Sequence, residues 1–98
     1  MAELITVYWR DIPAQVIVKK GRKKVKRMLS NRFQEAVDRA AMRAGKGSSD
    51  AYLSEWRRER SACEGDAEIA AQAEADRLEQ LYSDEKLLQL VRAKGVGS

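Results

Sequence analysis

The sequence predicts an α+β domain, an N-terminal antiparallel β-hairpin packed against about four α-helices, and three observations carry that expectation. Leu4 to Trp9 is a dense run of β-branched and aromatic residues. A second such run, Gln15 to Lys19, follows after Arg10-Asp11-Ile12-Pro13-Ala14, which holds an Asp and the only proline. From Val25 onward the apolar spacing changes from two to between three and four, the period of helices. Composition agrees: aromatic residues are 6% and charged residues 35% of the chain, with alanine prominent among the apolar share. Such a chain makes small helix-packing surfaces more readily than a deep pocket. At 98 residues it is one domain by length and buries only about 60 to 65% of its unfolded surface, enough for one modest core.

The five residues between the two strands suit a hairpin loop, so antiparallel pairing is the economical arrangement. In the second strand Val16 and Val18 share one face, with Gln15, Ile17 and Lys19 on the other, and Lys20-Gly21 closes it. The first strand is apolar on both faces, and an isolated hairpin is marginal, so helices are expected to cover it. Val25, Met28 and Leu29 favour a short helix over residues 22–29, with a third, irregular strand as the alternative. Asn31 with Gln34 fits a capping arrangement for a helix at 31–44, whose stripe is Phe33, Ala36, Val37, Ala40, Ala41 and Ala44 and whose left-handed stop is Gly45.

Residues 46 to 50 read as a loop and cap, followed by a helix carrying Tyr52, Leu53 and Trp56 to about Ala62. Gly65-Asp66 breaks the chain again. Ala67 to about Tyr82 is a strong helix former with a thin stripe of Ala67, Ala71, Ala75, Leu78 and Tyr82. Ser83 caps a last helix with Asp84 and Glu85 in its first turn and Arg92 and Lys94 near its end, after which Gly95 to Ser98 should fray. The organisation expected is an α+β core over 1–62 and a helical extension over 63–98, packed on it or projecting from it. Trp9 and Trp56 are expected in the core, packed on each other.

Charge is unevenly spread. Seven of the nine residues from Lys19 to Arg27 are basic: Lys19, Lys20, Arg22, Lys23, Lys24, Lys26 and Arg27. Eleven basic and two acidic residues put the segment 19–46 at +9, against +4 for the whole chain. A block of this kind attracts acidic protein surfaces, phosphates or anionic lipid heads, or stays merely solvated. With Tyr8 or Trp9 stacking on an unpaired base, about four phosphate contacts would give a log-log salt slope of roughly −3 to −4. Ser30-Asn31 makes no convincing helix-turn-helix.

Catalytic chemistry has little to stand on. The chain has no histidine, the commonest general base near neutral pH and the commonest transition-metal ligand. Cys63 stands beside Glu64, which opposes thiolate formation, and reads as a semi-buried, incidental residue. Glu68, Glu74, Asp84 and Glu85 read as solubilising or capping groups on exposed helix faces. Gly45-Lys46-Gly47-Ser48-Ser49 follows a helix and lacks Walker spacing. No catalytic residue, cofactor or metal site is expected. One cysteine, no basic-apolar leader after Met1 and no apolar run near the roughly 18 to 20 residues that span a bilayer point to a cytoplasmic protein.

The order Val7-Tyr8-Trp9-Arg10-Asp11-Ile12-Pro13-Ala14-Gln15-Val16, a basic stretch, Arg32-Phe33 opening Ala36-Val37-Asp38-Arg39-Ala40-Ala41-Met42, then Asp50-Ala51-Tyr52-Leu53-Ser54-Glu55-Trp56 resembles the bacterial "virulence factor" domain. That family occurs as short stand-alone proteins and as a segment of the larger conserved virulence factor C. The likeness spans roughly residues 4 to 60, with the tail after about Ser61 outside it. It implies a cytosolic bacterial accessory domain, an adaptor by the company of HEAT repeats it keeps in virulence factor C, and it assigns no catalytic residues. The expectation is therefore a non-catalytic accessory or adaptor protein that binds an acidic partner through residues 19–27. The alternatives are a nucleic-acid-binding module and, by resemblance, an accessory subunit of a corrinoid or folate methyl-transfer system.

Overall fold

A strand that is apolar on both faces needs a neighbour on each edge and cover on each side, and β1 (Ala2–Trp9) obtains both neighbours. The computed structural model of the chain describes residues 2–45 and 49–97, except the side chains of residues 49 and 51. The elements are β1, β2 (Ile12–Lys20), β3 (Lys23–Met28), α1 (Asn31–Arg43), α2 (Ser49–Ser54), β4 (Trp56–Cys63), α3 (Ala67–Leu81) and α4 (Asp84–Arg92). The strands form one antiparallel sheet in the order β3-β2-β1-β4. This is the expected α+β class, with an N-terminal hairpin and four helices among the described residues.

The β1–β2 turn is tighter than expected. Arg10 and Asp11 alone make it, Arg10 in the left-handed region at φ 54°, and Ile12 to Ala14 belong to β2. A register shift between Val7 and Tyr8 puts Pro13 at the irregularity, where a missing N–H does least harm to the ladder.

Two expected helices are strands. In place of the helix expected over residues 22–29, Lys23–Met28 forms β3, because Gly21, at φ 61°, lets the chain reverse in two residues and pair Lys20 with Lys23. Only Val25 of that strand is fully buried, so its inward signal is a single residue. The helix expected to run to Ala62 stops at Ser54, and Trp56–Cys63 pairs residue for residue with β1. Arg and Glu are good helix formers, but the unpaired backbone edge of β1 outweighs that weak local preference. The loop expected at residues 46–50 falls largely outside the described residues, as does the Gly45–Ser49 string.

The helices gather on the face of Leu4, Thr6, Val16, Val18 and Val25. Phe33, Ala36, Val37, Ala40 and Ala41 of α1, Ala67, Ala71, Ala75 and Leu78 of α3, and Leu87, Leu90 and Val91 of α4 join one core with Val16 and Val18. That core draws residues from both sides of residue 62. At the Arg10–Asp11 end Trp9 and Ile12 enter the same core. The two tryptophans do not stack on each other; Tyr52 lies between them, 6.0 Å from Trp9 and 5.7 Å from Trp56 between ring centres.

Helix ends follow the expected stops and, at two of three starts, side-chain caps. Gly45 has φ 70° after α1, Ser83 accepts the Lys86 N–H, and Asp66 accepts the amides of Glu68 and Ile69. The Asn31–Gln34 cap is not formed. Asn31 bonds to Glu35 and Gln34 to Asp38, and the N-cap is Ser30, whose hydroxyl and N–H both donate to Glu79 at the end of α3, at 2.8 and 2.5 Å. Arg32 completes this clasp by donating to Glu79 and to the carbonyls of Glu79 and Tyr82. Nor does the tail fray through Gly97: the Asp11 N–H donates to the Gly95 carbonyl at 2.8 Å and the Gly97 N–H to the Asp11 carboxylate at 2.6 Å. The tight turn exposes a carboxylate and an amide there, and the tail satisfies both.

The clasp predicts a pH effect. Partial burial pushes the Glu79 carboxyl up, but the Ser30 and Arg32 bonds outweigh it and hold it below its ordinary 4.5. A depressed carboxyl stabilises the fold fully above 4.5 and loses that contribution as pH falls through the folded value. Glu79→Gln is expected to cost about 1 to 2 kcal/mol at pH 7, the gap to wild type narrowing as pH falls below 4.5. Urea unfolding at pH 7, 5 and 3 reads this directly, and an equal gap at all three would assign the clasp's strength to something other than the carboxylate.

Candidate docking face

Because side chains alternate across a strand, the same pairings that bury one face of the sheet against α1, α3 and α4 define a second face, with Tyr52 of α2 set between Trp9 and Trp56 at its end. Ile5, Val7 and Ile17 sit at its centre as a small cluster of their own, touched by Trp56 alone among the other apolar residues. Yet Ile5 is 0% and Ile17 2% exposed. Long polar side chains flank them in register. In register, one row across the sheet reads Lys26, Ile17, Ile5, Arg60; the row on one side reads Lys24, Lys19, Glu3, Ala62, and on the other Met28, Gln15, Val7, Arg58. At about 4.8 Å between strands these rows are about 14 Å wide, and the aliphatic stems of Lys and Arg are long enough to cover neighbouring isoleucines while their charged ends stay in water.

The pleat thus divides the basic segment. Lys19, Lys24 and Lys26 stand on the open face, and Arg22 lies in the turn. Lys20, Lys23 and Arg27 fall on the helical side, where α3 and its preceding loop engage them: Lys20 donates to the Gly65 carbonyl at 2.8 Å, Lys23 lies 3.9 Å from Glu68, and Arg27 donates to Gln72 at 3.1 Å. In exchange β4 contributes Arg58 and Arg60, two site residues not expected from the sequence because the segment reads as helix. Its alternation explains their separation from Arg57, which lies on the helical side over the Tyr8 ring and is neutralised by Asp11 and Glu59.

Five cations therefore share the open face with one carboxylate, Glu3, which pairs with Arg60 at 3.4 Å. Among the described residues Lys19, Lys24, Lys26 and Arg58 have no carboxylate within ion-pair reach. Their mutual repulsion registers on Lys24, whose ammonium is held below the usual lysine value first by Lys26, then by slight desolvation, Lys19 and Arg58. Arg58 is on the opposite edge strand, so the positive field spans the whole sheet. Lysine on β3 and arginine on β4 also keep these two bare edges from pairing with other chains.

The remaining sequence candidates resolve simply. Trp9 is fully buried and Tyr8 lies on the helical side, so neither stands on the open face. Cys63 is half-buried at the end of β4 against the core. Glu68 pairs with Lys23, Glu74 with Arg77, and Asp84 with Arg32. Among the described residues no helix is long and apolar enough to cross a membrane.

Comparison with curated proteins and with solved structures found no match. A family model described as "Virulence factor" matches residues 7–91. That span passes well beyond Ser61, where the resemblance was expected to end, and takes in β4, α3 and most of α4. The segments that complete the sheet and roof its helical side are thus part of the shared pattern, and the chain belongs to the Virulence factor family.

Proposed function

We propose that this chain is a non-catalytic cytoplasmic adaptor whose open sheet face docks an acidic protein surface. The observation that carries the proposal is the set of four cations, Lys19, Lys24, Lys26 and Arg58, that share one face without an ion-pair partner among the described residues. Clustered like charges cost stability in the free protein, and an acidic surface relieves that cost while steering encounter. A protein partner is favoured over nucleic acid because Tyr8 and Trp9, the rings expected to stack on bases, are on the helical side and in the core, and Trp56, which reaches the open-face cluster, is already held edge-on by Tyr52. A methyl-transfer complex is one host for such a subunit, and what copurifies names it.

The test compares wild type with K24E/R58E, a pair on opposite edges of the face. Both residues are solvent-exposed, so thermal unfolding is expected to stay within a few degrees of wild type. Proteins captured from native cell extract by wild type are expected to be lost by the variant, and their binding surfaces to be acidic. Mixed-sequence RNA and DNA are expected not to bind at micromolar concentration at about 50 mM salt. Salt-sensitive micromolar binding would transfer the face to nucleic acid, and identical capture by both proteins would overturn docking through it.

A further inference from the structure

The helices carry a second surface with a different chemistry. α1 and α4 lie side by side in the same direction: Arg32 of α1 pairs with Asp84 at one end, and Met42 and Arg43 meet Leu88, Val91 and Arg92 at the other. Between them runs a groove that at this second end encloses about 400 Å³ and is lined by Arg39, Met42, Arg43, Leu88, Val91 and Arg92. Its floor is apolar and its rim is guanidinium. Met42 is 76% and Leu88 41% exposed, although both project from helices whose other faces fill the core.

One function of two of these arginines is internal. Arg43 and Arg92 stand in the last turns of α1 and α4, where a cation favours the helix dipole. Arg39 is a full turn earlier, and the dipole does not account for it or for the exposed methionine and leucine. No carboxylate in the described residues neutralises any of the three. Glu35, one turn before Arg39, accepts from Asn31, and Asp84 pairs with Arg32 at the far end.

We infer that this groove receives an acidic amphipathic helix of a partner protein, its leucine-sized side chains entering between Met42, Leu88 and Val91 and its carboxylates meeting Arg39, Arg43 and Arg92. The two ends of the groove differ in charge, so the occupant's acidic residues concentrate at the Arg43–Arg92 end. Exposed methionine suits such a seat, because its unbranched chain adapts to the shape inserted, and apolar anchors at i, i+3, i+4 and i+7 are what a two-helix groove reads. A concave floor between two helices fits inserted side chains better than the plane of a lipid surface. The groove is built by other elements than the open sheet face, and the inference stands or falls independently of that face.

The probe is a helix-forming peptide of about 18 residues with leucine at i, i+3, i+4 and i+7 and glutamate between, titrated into the ¹⁵N-labelled full chain. Backbone shifts are expected at residues 39–43 and 88–92, and R39E/R92E is expected to weaken binding at least about tenfold. A scrambled peptide of the same composition and a lysine counterpart are expected not to bind. The inference is overturned by shifts confined to the sheet, by equal binding of the scrambled peptide, or by no shift at all. It is equally overturned if anionic vesicles occupy these residues and the peptide does not, or if free protein self-associates through them.

Discussion

Trp9→Ala is expected to cost about 3 to 5 kcal/mol, a large part of the 5 to 15 or so that holds a domain of this size together. Trp9 is fully buried and joins three segments far apart in sequence. Its ring stacks on Tyr52 at 6.0 Å, its indole N–H donates to the Tyr52 carbonyl at 2.9 Å, and its six-membered ring is the surface against which Gly95 rests. α2 is only six residues long, too short to persist without tertiary support, so losing Trp9 releases α2 from the sheet. Trp9→Phe separates the contributions: it keeps most of the buried ring and removes the indole donor, leaving the Tyr52 carbonyl with the Glu55 N–H at 3.3 Å, for about 1 kcal/mol. Urea unfolding followed by far-UV circular dichroism gives both values. A Trp9→Ala protein within about 1 kcal/mol of wild type would show that α2 and the C-terminal segment are held by something other than the indole.

Which elements could be read from the sequence follows from where each obtains its order. β2, α1 and α3 carry their own apolar period, and Val16, Val18, Phe33, Val37, Ala71 and Leu78 all face the core as that period requires. β3 and β4 carry almost none. Edge strands with one wet face show little alternation: β3 buries Val25 alone, and β4 reads Arg-Arg-Glu-Arg through its middle, as a surface helix would. Their strand character is a property of the ladder partner. β1, apolar on both faces, signals cover for its faces but not which segment pairs with its free edge.

The candidate site inherits the same division. Contiguity in sequence made Lys19 to Arg27 look like one patch, but period-two alternation sends Lys20, Lys23 and Arg27 toward α3 and keeps Lys19, Lys24 and Lys26 outside. Arg58 and Arg60 become visible as site residues only once β4 is paired with β1. A charge run in an edge hairpin is thus half of a surface, and the other half must be sought on whichever strand closes the opposite edge. The same reasoning separates Arg57 from Arg58: adjacent in sequence, one is quenched by Asp11 and Glu59 and the other faces solvent without a carboxylate.

Gly95→Ala is expected to cost about 2 to 5 kcal/mol, although it adds a single methyl group in a segment expected from sequence to be loose. Two costs add. Gly95 sits at φ 88°, where a Cβ strains the backbone by roughly 1 to 2 kcal/mol. That Cβ would also lie 2.9 Å from the Trp9 ring and 3.3 Å from the Arg10 side chain. The ring is pinned by Tyr52 and cannot retreat, so overpacking contributes a further 1 to 3 or so. Gly45→Ala is the control, since its φ is 70° and nothing lies within 4 Å of the added atom; it carries the backbone cost without the collision. In the Gly95 variant the Asp11 and Gly97 amides, which bond to the Gly95 carbonyl and the Asp11 carboxylate, are expected to exchange with solvent faster by at least about tenfold, because their partners separate when the tail lifts. Equal stability of the two alanine variants, with unchanged exchange at Asp11, would mean that the tail does not rest on Trp9 in solution.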